Sequence, residues 1–151
     1  MIKVLFICHG NICRSTMAEF IFRDMVDKAG MAEQFYIESA ATSTEEIGSD
    51  IHPGTKKKLR ENGIPYTKRH ARRMTAGDYK KFDYIIGMDD ANVRNILKIA
   101  GGDSEHKVHK LLDFAGEDRS IADPWYTGNF DDTYDDVAAG CEGLGKVLLH
   151  E

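Results

Sequence analysis

Two cysteines, an arginine and a serine stand close together near the start of the chain. Cys8, Cys13, Arg14 and Ser15 lie within the stretch CHGNICRS, which directly follows the apolar run VLFI. A thiol is a strong nucleophile as a thiolate, and cationic groups and helix amino termini stabilise that charge. Arg14 can donate two parallel hydrogen bonds to the oxygens of a phosphate group. The spacing therefore predicts a thiolate lying beneath a bound phosphate ester.

The segment between Cys8 and Arg14 has the character of an anion-binding loop. Gly10 lets the backbone bend with no side chain in the way, and consecutive N–H groups in such a loop can point inward at an anion. The helix expected after it adds unpaired N–H groups and a positive dipole end. A thiolate at Cys8 can then attack phosphorus, and Ser15 can donate a hydrogen bond to the sulfur as it leaves. The alternative is a pair of buried, unreactive cysteines.

Expulsion of the ester oxygen calls for an acid, and the acidic stretch near the carboxyl end holds the candidates. Asp123 precedes Pro124, which restricts the backbone of both residues. Trp125 and Tyr126 follow, and their flat rings can grip an aromatic substrate. A positioned acid accelerates such a reaction by about 10²–10⁴-fold. The alternative is an ordinary Asp-Pro turn before the last helix, with Asp131 as the cap of that helix.

Alternating strands and helices must position these stretches. The pattern predicts buried strands at Val4–Ile7, Phe35–Ala40, Asp83–Met88 and Val108–Leu112. It predicts helices from a Ser15 cap to Gly30, from Pro53 through Leu59 toward Gly63, over Ala91–Ala100, and from Tyr134 to Leu148. Such alternation favours an α/β domain with a mostly parallel sheet. Ligands bind at the carboxyl ends of the strands in these sheets, which is where Cys8 lies.

The composition suits one domain of 151 residues, of which 42% are hydrophobic and 30% charged. No apolar run approaches the length of a membrane span, the amino terminus does not resemble a signal peptide, and three cysteines do not make a secreted disulfide framework. We therefore expect a cytoplasmic protein. A net charge of −5 argues against general nucleic-acid binding. Basic residues crowd positions 56–73 and acidic residues positions 113–136, either as two solvated faces or as two sides of a site.

Four segments together resemble the low-molecular-weight protein tyrosine phosphatases over nearly the whole chain: CHGNICRSTMAEF, ESAATST, KKFDYIIGMDDANVRNI and DPWYTGNFDDTY. The resemblance implies a single α/β domain over residues 1–151 with a four-stranded parallel sheet. It also implies a phosphomonoesterase that needs no metal or cofactor, with Cys8 as nucleophile, Arg14 as phosphate ligand and Asp123 as general acid. The implied substrate is phosphotyrosine on a protein or a small aryl phosphate. Neither nucleic acid nor membrane is an expected partner, and we expect a monomer or a weak dimer.

The same resemblance implies supporting roles around the nucleophile. Asn11 and Ser15 hold the loop and the thiolate, and Ser39 supports Asn11. Cys13 forms a reversible disulfide with Cys8, which diverts an easily oxidised thiolate from irreversible products. The alternative for Cys13 is a buried thiol that supports the loop. The expected lining of the phosphate pocket is His9, Gly10, Asn11, Ile12, Cys13, Ser15, Glu45, Trp125 and Tyr126.

Four positions depart from the family's pattern, and at one of them Thr16 replaces the usual Pro of the first helical turn, where both are tolerated. His9 stands where many members have an apolar residue or Thr, and at the pocket rim it would make phosphate binding more dependent on pH. Glu45 stands where several members carry an aromatic wall residue, and a carboxylate there disfavours acidic peptides. Arg69 takes the place of a histidine of the family. His70 lies one residue on, so no role is assigned to it.

Three other functions use a similar loop. An arsenate reductase needs two further cysteines near mid-chain, and no cysteine lies between Cys13 and Cys141. Phosphoarginine phosphatases tend to carry Thr in place of Ile12, so Ile12 favours an aryl phosphate. A non-catalytic phosphate-binding or redox-sensing module would use the two loop cysteines, but the intact arginine and Asp-Pro motif argue against it. The basic stretch 56–73 is a candidate flank of the pocket that would attract acidic partners.

Overall fold

The computed structural model describes residues 1–149, in which four parallel strands form a sheet. The prediction of one domain over residues 1–151 extends two residues past this range. The strands lie in the order β2-β1-β3-β4 and are β1 (Ile2–Cys8), β2 (Phe35–Ala41), β3 (Tyr84–Gly87) and β4 (Val108–Lys110). The central position of β1 places Cys8 beside Ala41 of β2 at the carboxyl edge of the sheet. This confirms the predicted fold class and the position of the loop after the first strand.

Helices cover both faces of the sheet. They are α1 (Arg14–Lys28), α2 (Pro53–Glu61), α3 (Ala76–Lys81), α4 (Asp90–Ala100), α5 (Pro124–Thr127) and α6 (Phe130–Leu148). Because side chains alternate along a strand, Val4 and Phe6 pack into the cluster that contains residues of α1 and α6. Leu5 and Ile7 pack into the cluster that contains residues of α3 and α4. The uninterrupted apolar run VLFI is thus explained by burial on two sides.

The start of α1 differs from the prediction in a way that matters for the site. The helix begins at Arg14 and Cys13 occupies the cap position, so Ser15 is not the cap. Ser15 is fully buried inside the first turn, and its hydroxyl contacts the sulfur of Cys8 rather than a backbone N–H of its own helix. The prediction of Ser15 as cap was wrong. A short polar residue before an apolar helix can cap the helix or can contact a neighbouring functional group, and the sequence pattern does not distinguish the two.

The ends of other elements also differ, and β3 is one residue shorter at each end than the predicted Asp83–Met88. The strand predicted over Val108–Leu112 stops at Lys110, because the next five residues form a short 3₁₀ turn. The last helix begins earlier than expected, at Phe130, and its cap is Asn129, whose side chain accepts from the N–H of Asp132 at 3.0 Å. Asp131 therefore does not cap it. The pattern does not predict α3 or α5, since each spans less than two turns.

Two glycines of α6 permit a close approach to the 3₁₀ turn. A methyl group on Gly140 would lie 2.4 Å from Cγ of Leu111, and one on Gly143 would lie 2.0 Å from the backbone oxygen of Phe114. These two glycines are therefore packing positions, although glycine in a helix interior costs about 1 kcal/mol relative to alanine. Within residues 1–149, no helix is both long enough and apolar enough to cross a membrane.

Candidate active site

The loop between β1 and α1 is held from outside through its carbonyl oxygens. The oxygen of His9 accepts from the N–H of Ser43 at 3.1 Å. The oxygen of Ile12 accepts from the N–H of His52 at 2.9 Å, and the hydroxyl of Thr55 donates to the oxygen of Cys13 at 3.2 Å. The N–H groups from Gly10 to Cys13 donate to no other described residue. A loop with anchored carbonyls and unpaired N–H groups is suited to hold an anion.

Cys8 lies at the base of this loop, where 3% of its surface is exposed. Its sulfur is 3.0 Å from the hydroxyl oxygen of Ser15. That oxygen already accepts a hydrogen bond from Nδ2 of Asn11 at 2.9 Å. The single hydroxyl proton of Ser15 is then available to the sulfur, and donation to sulfur stabilises a thiolate.

Asn11 is the structural centre of the loop. Its φ of 59° lies in the left-handed region that non-glycine residues rarely adopt. Nδ2 donates to Ser15 and, at 2.9 Å, to the hydroxyl of Ser39, and Ser39 in turn donates to Glu19 at 2.5 Å. The chain of hydrogen bonds from Glu19 to the sulfur thus fixes an unfavourable backbone conformation.

The carbonyl side of the Asn11 amide is held by a residue to which the sequence assigned no role. Nη2 of Arg69 donates to Oδ1 of Asn11, and the N–H of Arg72 donates to the same oxygen at 3.3 Å. Asp50 accepts from the N–H of Arg69 at 3.2 Å. His70 is directed elsewhere, with Nδ1 3.0 Å from the carbonyl oxygen of Gly48. The aligned position, Arg69, and not its neighbour, contacts the loop.

Arg14 is 2% exposed and is the largest of the fully buried side chains. Nη1 donates to Oδ2 of Asp89 at 2.7 Å and to the carbonyl oxygen of Ile121 at 2.9 Å. Burial lowers the pKa of Arg14, but Cys8 and Asp89 raise it by more, so the pKa stands above its ordinary value. Nε has no hydrogen-bond partner among the described residues. The guanidinium is thus charged, fixed on one edge and unpaired at Nε.

Asp89 was not predicted as a site residue. It caps α4, since Oδ1 accepts from the N–H of Asn92 at 2.7 Å while Oδ2 accepts from Arg14. A capping pattern at MDDAN was the only local signal, and capping alone does not distinguish a structural aspartate from one that also orients a distant arginine.

Asp123 lies beside this arginine. Its Oδ1 accepts from the N–H of Trp125 at 3.0 Å, and its Oδ2 is 3.4 Å from Nη2 of Arg14. It therefore caps α5, as a turn aspartate would, and also faces the cleft. The residues lining the cleft of about 80 Å³ are Cys8, His9, Gly10, Ile12, Cys13, Glu45, Glu46, Asp123, Trp125 and Tyr126. The structure brings together Cys8, Arg14 and Asp123, which come from opposite ends of the chain.

The rim of the cleft is aromatic and acidic. Trp125 is 58% exposed and Tyr126 81% exposed. Oε2 of Glu45 lies 2.9 Å from Nε2 of His9, and Glu46, which the sequence did not single out, accepts from the hydroxyl of Ser49 at 2.9 Å. The lining contains no residue of the basic stretch 56–73. That this stretch flanks the pocket and attracts acidic partners stays a prediction.

All three cysteines are free and buried. Burial and then the neighbouring Cys8 raise the pKa of Cys13 to about 12. Cys13 lines the cleft, whereas Cys141 lies in α6 with its sulfur 3.7 Å from the carbonyl oxygen of Ala18. No group of three or more His, Cys, Asp or Glu side chains suited to a metal occurs within residues 1–149.

Comparison with known proteins places this arrangement in a family. The family model described as low molecular weight phosphotyrosine protein phosphatase matches residues 3–151. The low molecular weight protein-tyrosine-phosphatase YfkJ of Bacillus subtilis is 42% identical, over 100% of this chain and 98% of its own length. The low molecular weight phosphotyrosine protein phosphatase of Schizosaccharomyces pombe is 43% identical over 88% of both chains.

Solved structures agree with the sequence comparison. The crystal structure of YfkJ has a TM-score of 0.95 at 40% identity and covers 99% of this chain and 95% of its own. That of SP-PTP, the low molecular weight protein tyrosine phosphatase of Streptococcus pyogenes, has a TM-score of 0.89 at 38% identity and covers 100% and 95%. With the full length matched in both sequence and fold, the chain belongs to the low molecular weight phosphotyrosine protein phosphatase family.

Proposed function

We propose that this chain hydrolyses phosphotyrosine and other aryl phosphate monoesters through a cysteinyl-phosphate, with Cys8 as nucleophile, Arg14 as phosphate ligand and Asp123 as general acid and base. The observation that carries the proposal is the buried Nε of Arg14, which is unpaired within the described chain. A buried donor without an acceptor costs free energy. Nε and Nη2 share one edge of the guanidinium, and this edge donates two parallel hydrogen bonds to a phosphate.

In the first step the thiolate of Cys8 attacks phosphorus as the bond from phosphorus to the ester oxygen breaks. Protonated Asp123 gives its proton to that oxygen, and the phenol leaves. Arg14 and the loop N–H groups stabilise the charge on the equatorial oxygens. The 3.4 Å contact between Oδ2 of Asp123 and Nη2 of Arg14 supports this assignment, since a carboxyl beside the group that binds the phosphate can reach the ester oxygen.

In the second step the carboxylate of Asp123 takes a proton from water while the water oxygen attacks the cysteinyl-phosphate. The bond from phosphorus to sulfur breaks, inorganic phosphate forms, and Cys8 returns to the thiolate. The hydroxyl of Ser15, 3.0 Å from the sulfur, stabilises the leaving thiolate.

The test compares release of inorganic phosphate from phosphotyrosine and from p-nitrophenyl phosphate, with EDTA and reductant present. The wild type should turn over many times and Cys8→Ser not at all. Asp123→Ala should lose about 10²–10⁴-fold on phosphotyrosine and less on p-nitrophenyl phosphate, because nitrophenolate leaves without a proton. Release of at most one equivalent by reduced wild type would contradict catalysis and favour a phosphate-binding module.

Ile12 supports an aryl over a guanidino phosphate. It is 8% exposed and lines the cleft with Trp125 and Tyr126, so position 12 offers apolar contact and no hydroxyl to a planar guanidinium. Phosphotyrosine and phosphoarginine peptides of the same flanking sequence should differ at least tenfold in kcat/KM in favour of phosphotyrosine, a modest discrimination for pocket contacts. Ile12→Thr should reduce that ratio.

A further inference from the structure

His52 connects three parts of the molecule that meet at the cleft. It immediately precedes α2, and its backbone N–H donates at 2.9 Å to the oxygen of Ile12. Ile12 belongs to the loop between β1 and α1, here called the phosphate loop. Nδ1 of His52 accepts from the N–H of Gly54 at 2.9 Å and so caps α2. With Nδ1 acting as acceptor, the ring is the tautomer that carries its proton on Nε2.

The ring of His52 lies between two aromatic side chains of the acid-bearing segment and the last helix. It stacks on Phe130, with ring centroids 5.1 Å apart at 24°. It meets Trp125 edge to face, with centroids 6.0 Å apart at 83°. Phe130 packs in turn against the buried cluster formed by Ile12, Cys13 and Ala71. The imidazole is thus held by stacking on Phe130 and also contacts the ring of Trp125.

The absence of a side chain at Gly54 allows this packing. A methyl group there would lie 2.5 Å from Cζ of Phe130. The glycine therefore lets Phe130 approach the start of α2 closely enough to support the ring of His52. A capping histidine that served α2 alone would not require this close approach.

Trp125 needs such support because little else holds it. It belongs to α5, which has four residues, and it is 58% exposed. Within residues 1–149 the ring pair with His52 is its only aromatic contact. Its backbone N–H donates to Oδ1 of Asp123. A shift of the Trp125 backbone would therefore turn the carboxyl of Asp123.

We infer that His52 is a positioning residue, whose ring holds Trp125 and thereby aims Asp123 at the leaving-group oxygen. The inference rests on the proposed function, in which Asp123 is the acid. It assigns to His52 no contact with substrate. The two tasks of this side chain, the cap through Nδ1 and the ring contact with Trp125, can be separated by substitution.

Two variants separate the tasks. His52→Asn keeps an acceptor for the cap and removes the ring, whereas His52→Phe keeps the ring and removes the acceptor. His106→Asn is the matched control, because His106 lies before β4, away from the carboxyl edge of the sheet, and its φ of 54° suits asparagine.

In His52→Asn, kcat/KM on phosphotyrosine should fall about ten- to a hundredfold and fall less on p-nitrophenyl phosphate, which needs no acid. His52→Phe and His106→Asn should keep the wild-type ratio between the two substrates.

Fluorescence gives a second measurement that does not depend on turnover. The chain has one tryptophan, so acrylamide quenching of emission reports on Trp125 alone. Quenching should increase in His52→Asn and stay at the wild-type level in His52→Phe and His106→Asn. Inhibition by inorganic phosphate should be the same in all four proteins, since Arg14 and the loop are untouched.

Unchanged quenching and an unchanged substrate ratio in His52→Asn would overturn the inference. So would a loss confined to His52→Phe, equal on both substrates and accompanied by a lower Tm, because the residue would then serve only to cap α2. If the wild type does not turn over either ester, the proposed function fails and the role of His52 in aiming an acid fails with it. Quenching then still decides whether the ring holds Trp125.

Discussion

At the scale of single residues, Arg69 is the least expected contributor to the site. Its guanidinium donates to the amide oxygen of Asn11 and to the carbonyl oxygen of Ser49 at 3.2 Å, so a permanently charged group supports a strained loop residue. A histidine in this place would lose one charge near neutral pH, whereas an arginine does not. We therefore interpret Arg69 as a support for the phosphate loop that does not depend on pH.

Arg69→Ala should reduce kcat/KM on p-nitrophenyl phosphate by about ten- to a hundredfold, which corresponds to the loss of a hydrogen bond from a charged group of about 1.5–3 kcal/mol. Inhibition by inorganic phosphate should weaken in parallel, because the loop that binds it loses its support. Arg60→Ala is the control, since the guanidinium of Arg60 donates to the hydroxyl of Tyr66 at 2.8 Å, in an exposed position. Equal kinetics of Arg69→Ala and Arg60→Ala would contradict the interpretation.

Glu45 and Glu46 give the rim an acidic character that bears on peptide preference. Glu45 has a side-chain exposure of 70%, so its charge is partly screened and its effect is modest. Peptides with Lys or Arg beside phosphotyrosine should be preferred over peptides with Glu there, and Glu45→Gln should reduce that preference about twofold to fivefold. Glu105→Gln, at an exposed loop position, should leave it unchanged. A preference that stays the same in Glu45→Gln at low salt would exclude this role.

Cys13 and Cys8 differ in their surroundings although both are buried. With a pKa raised to about 12 by burial and by Cys8, Cys13 is a thiol at neutral pH, and only Cys8 has Ser15 as a partner. Iodoacetamide should therefore label Cys8 first, and Cys13→Ser should keep turnover. After brief treatment with hydrogen peroxide, dithiothreitol should restore the wild type more fully than Cys13→Ser, if the predicted disulfide protects the nucleophile. Equal recovery, measured by turnover and by mass spectrometry, would leave Cys13 as a loop-supporting thiol.

At the scale of elements, the closest packing is between α6 and the turn after β4. The missing side chain at Gly143 leaves the backbone of Phe114 in contact with the helix. Gly143→Ala should lower the free energy of unfolding by about 1–3 kcal/mol or more, since backbone must move. In α3, a methyl group on Gly77 meets only the hydroxyl of Thr75 at 3.7 Å, so Gly77→Ala should be neutral or stabilising. Urea unfolding of the two variants checks both signs, and equal stabilities would contradict the packing argument.

The order of the elements follows from the sequence because periodic apolar patterns are local. The predicted strand Val4–Ile7 is three residues shorter than the observed β1, and the predicted helix Ala91–Ala100 is one residue shorter than the observed α4. Short elements were missed for the same reason, since α3 and α5 carry too few residues for a period. Cys8, Arg14 and Asp123, which the structure brings together at the cleft, could be selected from the sequence because their loop and Asp-Pro motifs are local too.

The missed site residues share a different property. Asp89, Arg69 and His52 contact the loop or its arginine from 40 to 75 positions away in sequence, and Glu46 lines the cleft. In the sequence each of the four has the ordinary character of a cap or a charged residue. Their second contact exists only once β1, β3 and the connections after them are brought to one edge of the sheet. Single-sequence patterns do not contain that information.

At the scale of the whole molecule, the two charged stretches meet away from the cleft. Lys58 of α2 lies 2.7 Å from Asp131 in the first turn of α6, and Arg119 pairs with Glu117 and Asp136 within the acidic stretch. Much of the charge that the sequence concentrates is therefore neutralised between neighbouring elements. The acidic groups at the rim of the cleft are Glu45 and Glu46, which lie in neither of the two charged stretches.

One ion pair couples acid stability to the phosphate loop. Nζ of Lys56 lies 2.8 Å from Oδ2 of Asp50, and this contact lowers the pKa of Asp50 from 3.8 to about 2. A carboxyl with a depressed pKa stabilises the folded state above its unfolded pKa, and this contribution is lost as pH falls toward the folded value. Asp50 also holds the backbone of Arg69, which supports Asn11. Protonation of Asp50 should therefore loosen the loop as well as lower the stability.

Asp50→Asn should be less stable than the wild type at pH 6. Between about pH 4 and pH 2 the wild type should lose the stability that Asp50 contributes, whereas the variant has no such contribution to lose. The two proteins should thus converge as pH approaches 2. Asp27→Asn, an exposed charge removal on α1, should follow the wild type throughout. Urea unfolding at each pH gives the stabilities, and inhibition by inorganic phosphate at pH 6 should be weaker in Asp50→Asn because the support of Arg69 is disturbed. A constant difference in stability between Asp50→Asn and wild type from pH 6 to pH 2 would show that the ion pair with Lys56 is not the source of the pH dependence. Unchanged inhibition by phosphate would show that the ion pair does not support the phosphate loop.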